Sequence, residues 1–357
     1  MNDTAVTVAR PARVVPAGAY LVPVAVLLLI FPYVAPTYQT IILSYGLAFA
    51  IAALALNLLL GYTGLLSFGH AAFFGAGGYA AGFVFKYLHV VSMEAFLAAG
   101  ALSGIVIAAL FGFVCVRYTR IFFSILALAL SQVLWSLAFK LFWVTGGTDG
   151  LRVPTPTLLG GVLGTPADKV TFLSHQYYYY TLVVFAVCAG MMWLIVNSPF
   201  GKALQAIRDN EVRAEFIGIR VRRYRWIAFV LSGMFASVAG TLWAPLNGLA
   251  TPEALYWPFS GEIVFMAVLG GFRTFSGPIV GAVVFNYLKA YAVGRTEYWQ
   301  LLLGVVLVIL VMVMPEGIIG TLARIGRRLV APGPTGVRQG AETGPSGPRQ
   351  TGLRGEG

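Results

Sequence analysis

Residues 61–82 read GYTGLLSFGHAAFFGAGGYAAG. The stretch is apolar enough to lie in a membrane, but glycine interrupts it repeatedly, and Ser67 and Gly69 break its middle. Irregular backbone at membrane depth is tolerated only where protein or a water-filled cavity covers it. Glycine-interrupted apolar segments mark substrate paths in transporters, while Gly78 and Gly82 have the four-residue spacing of a close helix–helix contact. The stretch therefore predicts a broken, inward-facing helix that packs closely, lines a path, or does both.

The composition is that of a membrane protein. Of the 357 residues, 59% are hydrophobic and 10% are charged, whereas soluble domains carry about 25% charged residues; the mean hydropathy is +0.82. Basic residues give a net charge of +11, but they cluster in loops and tails between apolar runs, which indicates membrane topology rather than nucleic-acid binding. Cys115 and Cys188 lie inside apolar runs without metal-ligand or disulfide spacing. We therefore expect an all-α, polytopic transmembrane helix bundle.

The apolar runs predict about eight to ten membrane spans, since a helix needs about 20 apolar residues to cross a bilayer. The runs from Phe259 and Gly277 are short, and we expect one or both to be broken or re-entrant. The ten candidate runs are Ala19–Pro36, Tyr38–Leu60, Ser67–Leu88, Glu94–Val116, Ile121–Trp143, Tyr177–Val196, Ile227–Leu249, Phe259–Gly271, Gly277–Val293 and Tyr298–Met314.

Basic residues predict the sidedness of these spans. Ten crossings place both termini and the basic stretches at 117–120, 197–225 and 324–328 together, and the positive-inside rule assigns that side to the cytoplasm. The loop 144–176 then lies on the outer side, and its only bases are Arg152 and Lys169.

The same pattern divides the chain into three parts. Residues 1–18 are polar and form a predicted cytoplasmic N-terminal segment, and residues 19–328 form one integral membrane domain. Residues 329–357 are rich in glycine and proline with few apolar side chains, which predicts a disordered cytoplasmic tail.

The cytoplasmic loop 197–225 contains an amphipathic pattern. Ser198 can cap a helix that Pro199 opens, and Gly218 can end it in a left-handed conformation. Its expected apolar side carries Leu204, Ile207, Val212 and Phe216, and its charged side carries Arg208, Asp209, Glu211, Arg213 and Glu215. With nothing of its own to bury against, such a helix lies on the membrane surface or docks into a partner. The interleaved acids favour docking.

Several ordered motifs resemble the permease subunits of branched-chain amino acid ABC importers, in particular the longer, LivM-type of the two paired permeases. The matching motifs are Gly61–Gly82, the run GGTDGL at 146–151, Gly201–Gly218 and FMAVLGG at 265–271. The resemblance extends from about Ala19 to Arg328. Its coupling-helix pattern is degenerate, because Glu211, Ala214 and Gly218 stand in a Glu-x-x-Ala-x-x-x-Gly arrangement.

The resemblance implies a multisubunit importer of the bacterial inner membrane. This chain would form half of the translocation path beside a paralogous permease, with two ABC ATPase subunits and a periplasmic substrate-binding protein. ATP would be used by the partner subunits, and no cofactor is expected in this chain, which lacks a Gly-x-x-x-x-Gly-Lys-Ser/Thr phosphate-binding loop. Such permeases serve leucine, isoleucine or valine, and also urea, amides, or aromatic and other organic acids. The resemblance is compatible with each of these substrates. It favours a paralogous partner, and the alternative is a pore made from two copies of this chain.

Three sets of candidate site residues follow. The substrate-path candidates are Asn57, Gly64, Ser67, Gly69, His70 and Glu262; the ATPase-coupling candidates are Gly201, Arg208, Asp209, Glu211, Ala214 and Gly218; the binding-protein contacts are Thr148, Asp149 and Gly150. An acid within the membrane is a functional hypothesis by default, although Glu262 also fits the outer rim beside Pro258. A lone histidine is more often a hydrogen-bonded packing residue than a proton relay, and no metal-ligand spacing surrounds it.

Two other function classes compete with an ABC permease. An ion-coupled secondary transporter needs titratable groups within the membrane, and the predicted spans offer little beyond Glu262 and His70. A membrane-bound enzyme, such as an acyl or glycosyl transferase, needs a nucleophile–base pair, paired carboxylates or a histidine cluster, and none of these patterns is evident.

Overall fold

The structure is a computed structural model that describes residues 18–118, 120–161, 168–314 and 316–330. The predicted N-terminal segment and almost all of the predicted tail lie outside these residues. The helices of the described residues are α1 (Gly18–Val34), α2 (Thr37–Thr63), α3 (His70–Phe83), α4 (Met93–Cys115), α5 (Arg120–Lys140), α6 (Phe142–Thr145), α7 (Lys169–Ser174), α8 (Gln176–Asn197), α9 (Pro199–Asp209), α10 (Glu211–Phe216), α11 (Val221–Asn247), α12 (Trp257–Gly270), α13 (Gly277–Val293), α14 (Trp299–Val313) and α15 (Gly317–Val330). A π-helical turn, Val84–Leu88, continues α3, and short 3₁₀ turns occupy Gly147–Asp149, Leu159–Gly161 and Pro252–Leu255.

Every predicted span coincides with a helix, so the all-α polytopic bundle is confirmed. Six helical stretches in the described residues are long and apolar enough to cross a membrane: Thr37–Thr63, Met93–Cys115, Ile121–Lys140, Lys169–Asn197, Val221–Asn247 and Trp299–Leu322. Shorter apolar helices cover Pro23–Val34, Trp257–Gly270 and Gly277–Val293. The 14 residues of α12 reach only about 21 Å at 1.5 Å per residue, as the short run from Phe259 predicts.

The core is built around α2, which is buried along most of its length. It packs against α11, α13 and α8, and α11 in turn packs against α3 and α4. Small residues make this possible, because the run AFAIAALAL at 48–56 offers little side-chain bulk between neighbouring backbones.

Backbone meets backbone where α3 crosses α11. A Cβ on Gly240 would meet the carbonyl oxygen of Phe74, and one on Gly77 would meet that of Ser237. The hydroxyl of Thr241 donates to the Gly77 carbonyl at 3.1 Å. The glycines of residues 61–82 therefore serve close packing, one of the two roles predicted for them.

A two-residue antiparallel pair ties the loop 144–176, which is predicted to lie outside, to the bundle. Strand β1 (Leu151–Arg152) pairs with β2 (Leu249–Ala250), which follows α11. Residues up to Thr321 form one compact unit, and a second unit begins at Leu322, whose described part is the remainder of α15.

Tyrosines on α8 hold α1. Pro32 lacks an N–H, so the Leu28 carbonyl four residues earlier has no donor within the helix. The hydroxyl of Tyr178 donates to that carbonyl at 2.7 Å, and Tyr179 donates to the Leu29 carbonyl at 2.8 Å.

We predict that Gly240→Ala destabilises the bundle by about 1–3 kcal/mol, the usual cost of overpacking, because its methyl group would collide with the Phe74 carbonyl. Thermal unfolding of the purified protein should show a lower Tm. The matched control is Gly190→Ala, since a Cβ at this exposed position on α8 meets nothing within 4 Å. Equal Tm values for the two variants would contradict the close α3–α11 contact.

Candidate functional site

The amphipathic loop between α8 and α11 forms two helices rather than the single helix predicted. Asn210 adopts an extended conformation, with φ −159° and ψ 107°, and separates α9 from α10. Its side-chain oxygen accepts a hydrogen bond from the Arg213 N–H at 2.9 Å and so caps α10. Asparagine is a favoured N-cap residue, so Asn210 could have indicated that a second helix starts here. The spacing of the apolar residues alone suggested one continuous helix.

Helix α9 is fastened to the membrane domain, which corrects the expectation that the loop has nothing of its own to bury against. Leu204 and Ile207 are buried, and α9 contacts α2, α8 and α11. Ser198 caps the helix by accepting from the Gly201 N–H at 3.4 Å, as predicted. Gly201 is required sterically, because a Cβ there would meet the Val196 carbonyl.

Helix α10 is held by an ion pair to α11. The guanidinium of Arg225 donates to both carboxylate oxygens of Glu211, at 2.7 and 2.8 Å. The Arg225 side chain is buried, with 7% exposure. Ala214, on the side of α10 that faces the bundle, is also buried. Glu211 therefore pairs with a residue of its own chain. The sequence pattern had placed Glu211 on the outward, charged side of the helix.

The solvent-exposed edge of α10 is apolar. Phe216 is 87% exposed, Ile217 71% and Val212 61%. Val212 and Phe216 therefore do not share the buried side of Leu204 and Ile207. Gly218, at φ +88°, turns the chain away after this edge, as the predicted left-handed cap requires.

Arg208 joins this loop to the end of α2. Its Nη1 donates to the Gly61 carbonyl at 2.6 Å, and its guanidinium also contacts the exposed Asp209 carboxylate at 3.0 Å. The Gly61 carbonyl is in the last turn of α2, where carbonyls lack helical donors and favour a cation. Gly64, at φ +74°, ends α2 directly against the Arg208 side chain. The structure thus places the path candidate Gly64 beside the coupling candidate Arg208.

The same end of α2 contacts the turn between α12 and α13. A Cβ on Gly61 would meet the Phe272 carbonyl. Asn57 Nδ2 donates to the Thr274 carbonyl at 3.4 Å. Gly61 therefore contacts both the loop between α8 and α11 and the α12–α13 turn.

The predicted break between α2 and α3 is real and lies at residues 64–69. Ser67 is buried, and its Oγ accepts from the Gly69 N–H at 3.3 Å. The hydroxyl of Ser124 on α5 donates to the Leu66 carbonyl at 2.5 Å. Protein thus covers the irregular backbone, and side-chain hydroxyls form hydrogen bonds with some of its N–H and C=O groups. Such bonds are required of irregular backbone in an apolar interior.

His70 starts α3 in the interior of the bundle. Its Nε2 lies 2.8 Å from the Ser232 hydroxyl, which donates to the Ala55 carbonyl at 2.5 Å. Because that hydroxyl hydrogen is used, His70 Nε2 must be the donor to Ser232 Oγ.

The buried surroundings give His70 a packing role between helices. Its Nδ1 is buried without a hydrogen-bond partner in the described residues. Next to it, the Ser260 hydroxyl of α12 accepts from the Ala71 N–H at 2.8 Å and caps the helix. Among the described residues, no three His, Cys, Asp or Glu side chains are grouped to hold a metal ion.

Glu262 forms an ion pair that sequence reasoning missed. Lys289 Nζ on α13 lies 2.7 and 2.8 Å from its two carboxylate oxygens. The two residues are 27 positions apart, so only the antiparallel packing of α12 and α13 brings them together. A lysine inside the predicted span Gly277–Val293 was the available signal.

The candidate binding-protein contacts Thr148, Asp149 and Gly150 form a tight turn before β1. Thr148 and Asp149 are exposed. A Cβ on Gly150, at φ +71°, would meet the Ala250 carbonyl. The turn therefore packs closely against the residues that follow α11, with two polar side chains exposed.

Farther along the outer loop, Asp168 caps α7. The Thr171 hydroxyl donates to its carboxylate at 2.7 Å, and the backbone N–H groups of Val170 and Thr171 add further hydrogen bonds. The hydroxyl first and the amides second hold the pKa of Asp168 below its usual range, so this carboxylate stays charged as a helix cap.

Comparison with known proteins identifies the family of this chain. Residues 39–311 match the family model of the permease component of branched-chain amino acid transport systems. The chain is 26% identical over 323 residues to the high-affinity branched-chain amino acid transport system permease protein LivM of Escherichia coli K12, which covers 84% of this chain and 74% of that protein.

The paired type of permease also matches. Identity is 25% over 286 residues with LivH of Salmonella typhimurium, covering 77% of this chain and 92% of LivH. It is 24% over 295 residues with BraD of Pseudomonas aeruginosa, covering 78% and 93%. No solved structure matches the chain significantly. Since the family model spans most of the chain, including nearly all of α2, the loop between α8 and α11, and the α12–α13 turn, this multi-pass membrane protein belongs to the family of branched-chain amino acid transport system permease components.

Proposed function

We propose that this chain is one permease subunit of a binding-protein-dependent ABC importer in the bacterial inner membrane. It forms half of a translocation path for branched-chain amino acids or related small polar solutes. A paralogous permease forms the other half, two ABC ATPase subunits use the ATP, and a periplasmic binding protein delivers the substrate. The chain itself is a transport subunit without enzymatic chemistry or a cofactor.

The observation that carries this proposal is the exposed apolar edge of α10. Phe216, Ile217 and Val212 project from a loop that is predicted to be cytoplasmic, while the neighbouring helix α9 packs one side against the bundle. Large apolar side chains on a rigid, charged surface favour a protein partner over water. An ATPase subunit that buries Phe216 would have a firm point of contact with this permease.

Arg208 and Gly61 supply the route by which ATPase motion would reach the membrane. The coupling segment, defined as residues 198–220, contacts the end of α2 through the Arg208–Gly61 hydrogen bond. The end of α2 contacts the α12–α13 turn through Gly61 and Asn57. Packed elements of this kind move as rigid bodies, so a shift of α9 would displace α2 and the α12–α13 turn together.

The remaining candidates find places in the same scheme. Thr148 and Asp149 on the outer turn are accessible to a binding protein. Ser67, Gly69 and His70 lie at the buried break before α3, where a rearrangement of α2 would act on the interior of the bundle. Gly64 and Asp209 belong, by their positions, to the coupling segment and its contact with α2.

We predict uptake of radiolabelled leucine into proteoliposomes that contain this chain with its copurifying partners. Uptake should require both ATP and the binding protein, because the chain offers no energy source of its own. The control is the same preparation with a proton gradient and no ATP. Uptake driven by that gradient, with no copurifying ATPase, would overturn the proposal in favour of a secondary transporter.

A second prediction concerns the Glu211–Arg225 pair. Glu211→Gln leaves the buried guanidinium of Arg225 without its counter-ion, and breaking such a pair costs about 1–3 kcal/mol at a partly exposed site. We expect α10 to lose its fixed orientation, so that less leucine is transported per ATP hydrolysed while the protein remains in the membrane. Leucine uptake and ATP hydrolysis measured on one preparation give this ratio.

Glu215→Gln is the matched control for that variant, because it removes an equal charge from the exposed side of the same helix. It should leave the ratio of transport to hydrolysis unchanged. If both variants behave like the wild type, the orientation of α10 does not matter for coupling, and the docking role assigned to this helix is wrong.

A further inference from the structure

Helix α15 (Gly317–Val330) combines an apolar stripe with basic residues. The members of the stripe recur every three or four positions, which places them along one side of a helix: Ile318, Leu322, Ile325 and Leu329. The charged residues of the helix are all arginines, and the same register places them away from the stripe, on what we call the arginine side: Arg324, Arg327 and Arg328. An amphipathic helix with a basic polar side is typical of segments that lie on a membrane surface.

The bundle fixes the place where this helix begins. Gly317, at φ +74°, separates α15 from α14, and its N–H donates to the Met314 carbonyl at 2.8 Å. A Cβ on Gly317 would meet the backbone of Gly271, which directly follows α12, and Ile318 packs against the core. Helix α15 therefore starts beside the α12–α13 turn, which also contacts the end of α2 that binds the coupling segment.

The membrane reaches the same point along α14. Met312 and Val313, at the end of this apolar helix, are exposed, and a helix that is apolar on its exposed side is typical of a membrane span. In α15, Leu322 is 58% exposed. The apolar stripe is therefore packed at Ile318 and uncovered at Leu322, in a helix that begins where a membrane span ends.

Helix α15 is not itself a membrane span. Its 14 residues reach only about 21 Å at 1.5 Å per residue, whereas the hydrocarbon core is about 30 Å thick. The arginines also oppose insertion. A helix that lies along the surface avoids both difficulties, because its apolar stripe enters the boundary of the acyl chains while its arginines stay among the headgroups.

We propose that α15 is an interfacial helix that binds anionic phospholipids through Arg324, Arg327 and Arg328. A guanidinium matches the geometry of a phosphate group. Each basic residue near an anionic surface contributes a factor of about five in affinity, so the arginine side favours anionic over neutral lipid by about a hundredfold. The predicted sidedness puts this helix at the cytoplasmic leaflet, whose negative charge attracts basic segments next to a membrane span.

The test measures which lipid lies beside the apolar stripe. Leu322→Cys carries a nitrobenzoxadiazole fluorophore in the purified assembly with its partner subunits, in nanodiscs of equal parts phosphatidylcholine and phosphatidylglycerol. A trace of one lipid carries a doxyl quencher, and the wild-type assembly, in which Cys115 and Cys188 of this chain are buried, gives the background. Doxyl-phosphatidylglycerol should quench about fivefold more than doxyl-phosphatidylcholine at equal concentration, because an arginine holds the lipid nearest to the label.

Thr321→Cys supplies the matched label on the arginine side, since Thr321 lies one turn before Arg324. Acrylamide, a neutral quencher in the water, should quench this label. The label at position 322 should be protected from acrylamide.

Charge variants connect the lipid preference to the arginines. Glutamine at all three positions should make the two lipids quench equally, whereas lysine at all three should keep the preference, because lysine retains the charge. Arg327→Gln alone should lower the preference in part, which keeps the test decisive if the triple variant does not assemble. Arg152→Gln, which removes an exposed arginine of β1, should change nothing.

Four results would overturn the lipid site. Equal quenching by both lipids in the chain with its arginines intact means that the helix does not select anionic lipid, and a preference that survives the triple glutamine substitution rejects the arginines as its source. Quenching of both labels by acrylamide alone places α15 in water. A label at position 322 that neither lipid nor acrylamide quenches places the stripe against a partner subunit.

Discussion

The hydrogen bond from Arg208 to the Gly61 carbonyl joins the loop between α8 and α11 to the end of α2, the helix around which the core is built. The last carbonyls of a helix have no donors within the helix. In α2, the N–H groups of Gly64 and Leu65 both turn back to Leu59, so Gly61 needs an outside donor. A guanidinium at this position satisfies the carbonyl and also carries the positive charge that a helix C-terminus favours. The end of the most central helix is thereby completed by a residue of the cytoplasmic loop.

Glycine makes the rest of this connection stiff. Gly61 allows the α12–α13 turn to approach the α2 backbone, and Gly77 and Gly240 bring α3 and α11 into backbone contact. Close-packed interfaces of this kind do not deform gradually but shift between discrete arrangements. Movement imposed on the coupling segment would therefore reach the helices that carry Glu262 and Lys289.

The sequence predicted the helices well and the contacts between them poorly. Apolar runs and glycine breaks located the apolar helices and the irregular segment before His70, because hydropathy and backbone freedom are local properties. The pattern in the cytoplasmic loop misled, because Leu204 and Phe216 have the same polarity although one is buried and the other 87% exposed. The periodicity of apolar residues predicts which side of a helix is buried. It does not predict that a helix ends and a new one begins, as happens at Asn210.

The sequence analysis also did not predict the two ion pairs that hold neighbouring helices together. Glu211 and Glu262 were both recognised as candidate residues, but their partners Arg225 and Lys289 were not, since each partner lies on another helix. Only the packing of α10 against α11, and of α12 against α13, brings opposite charges within 3 Å. As a result the pattern assigned Glu211 to an outward charged side, whereas in the structure its carboxylate binds Arg225 and holds α10 against α11.

The most direct test of the central claim is a distance measurement across the cytoplasmic side of the assembled transporter. Spin labels at Glu215→Cys on α10 and Arg273→Cys in the α12–α13 turn report whether the coupling segment and that turn move together. We expect one distance, the same in nucleotide-free and nucleotide-trapped states, which becomes nucleotide-dependent when Arg208→Ala removes the bond to Gly61. A distance that changes with nucleotide in the otherwise wild-type chain would contradict it.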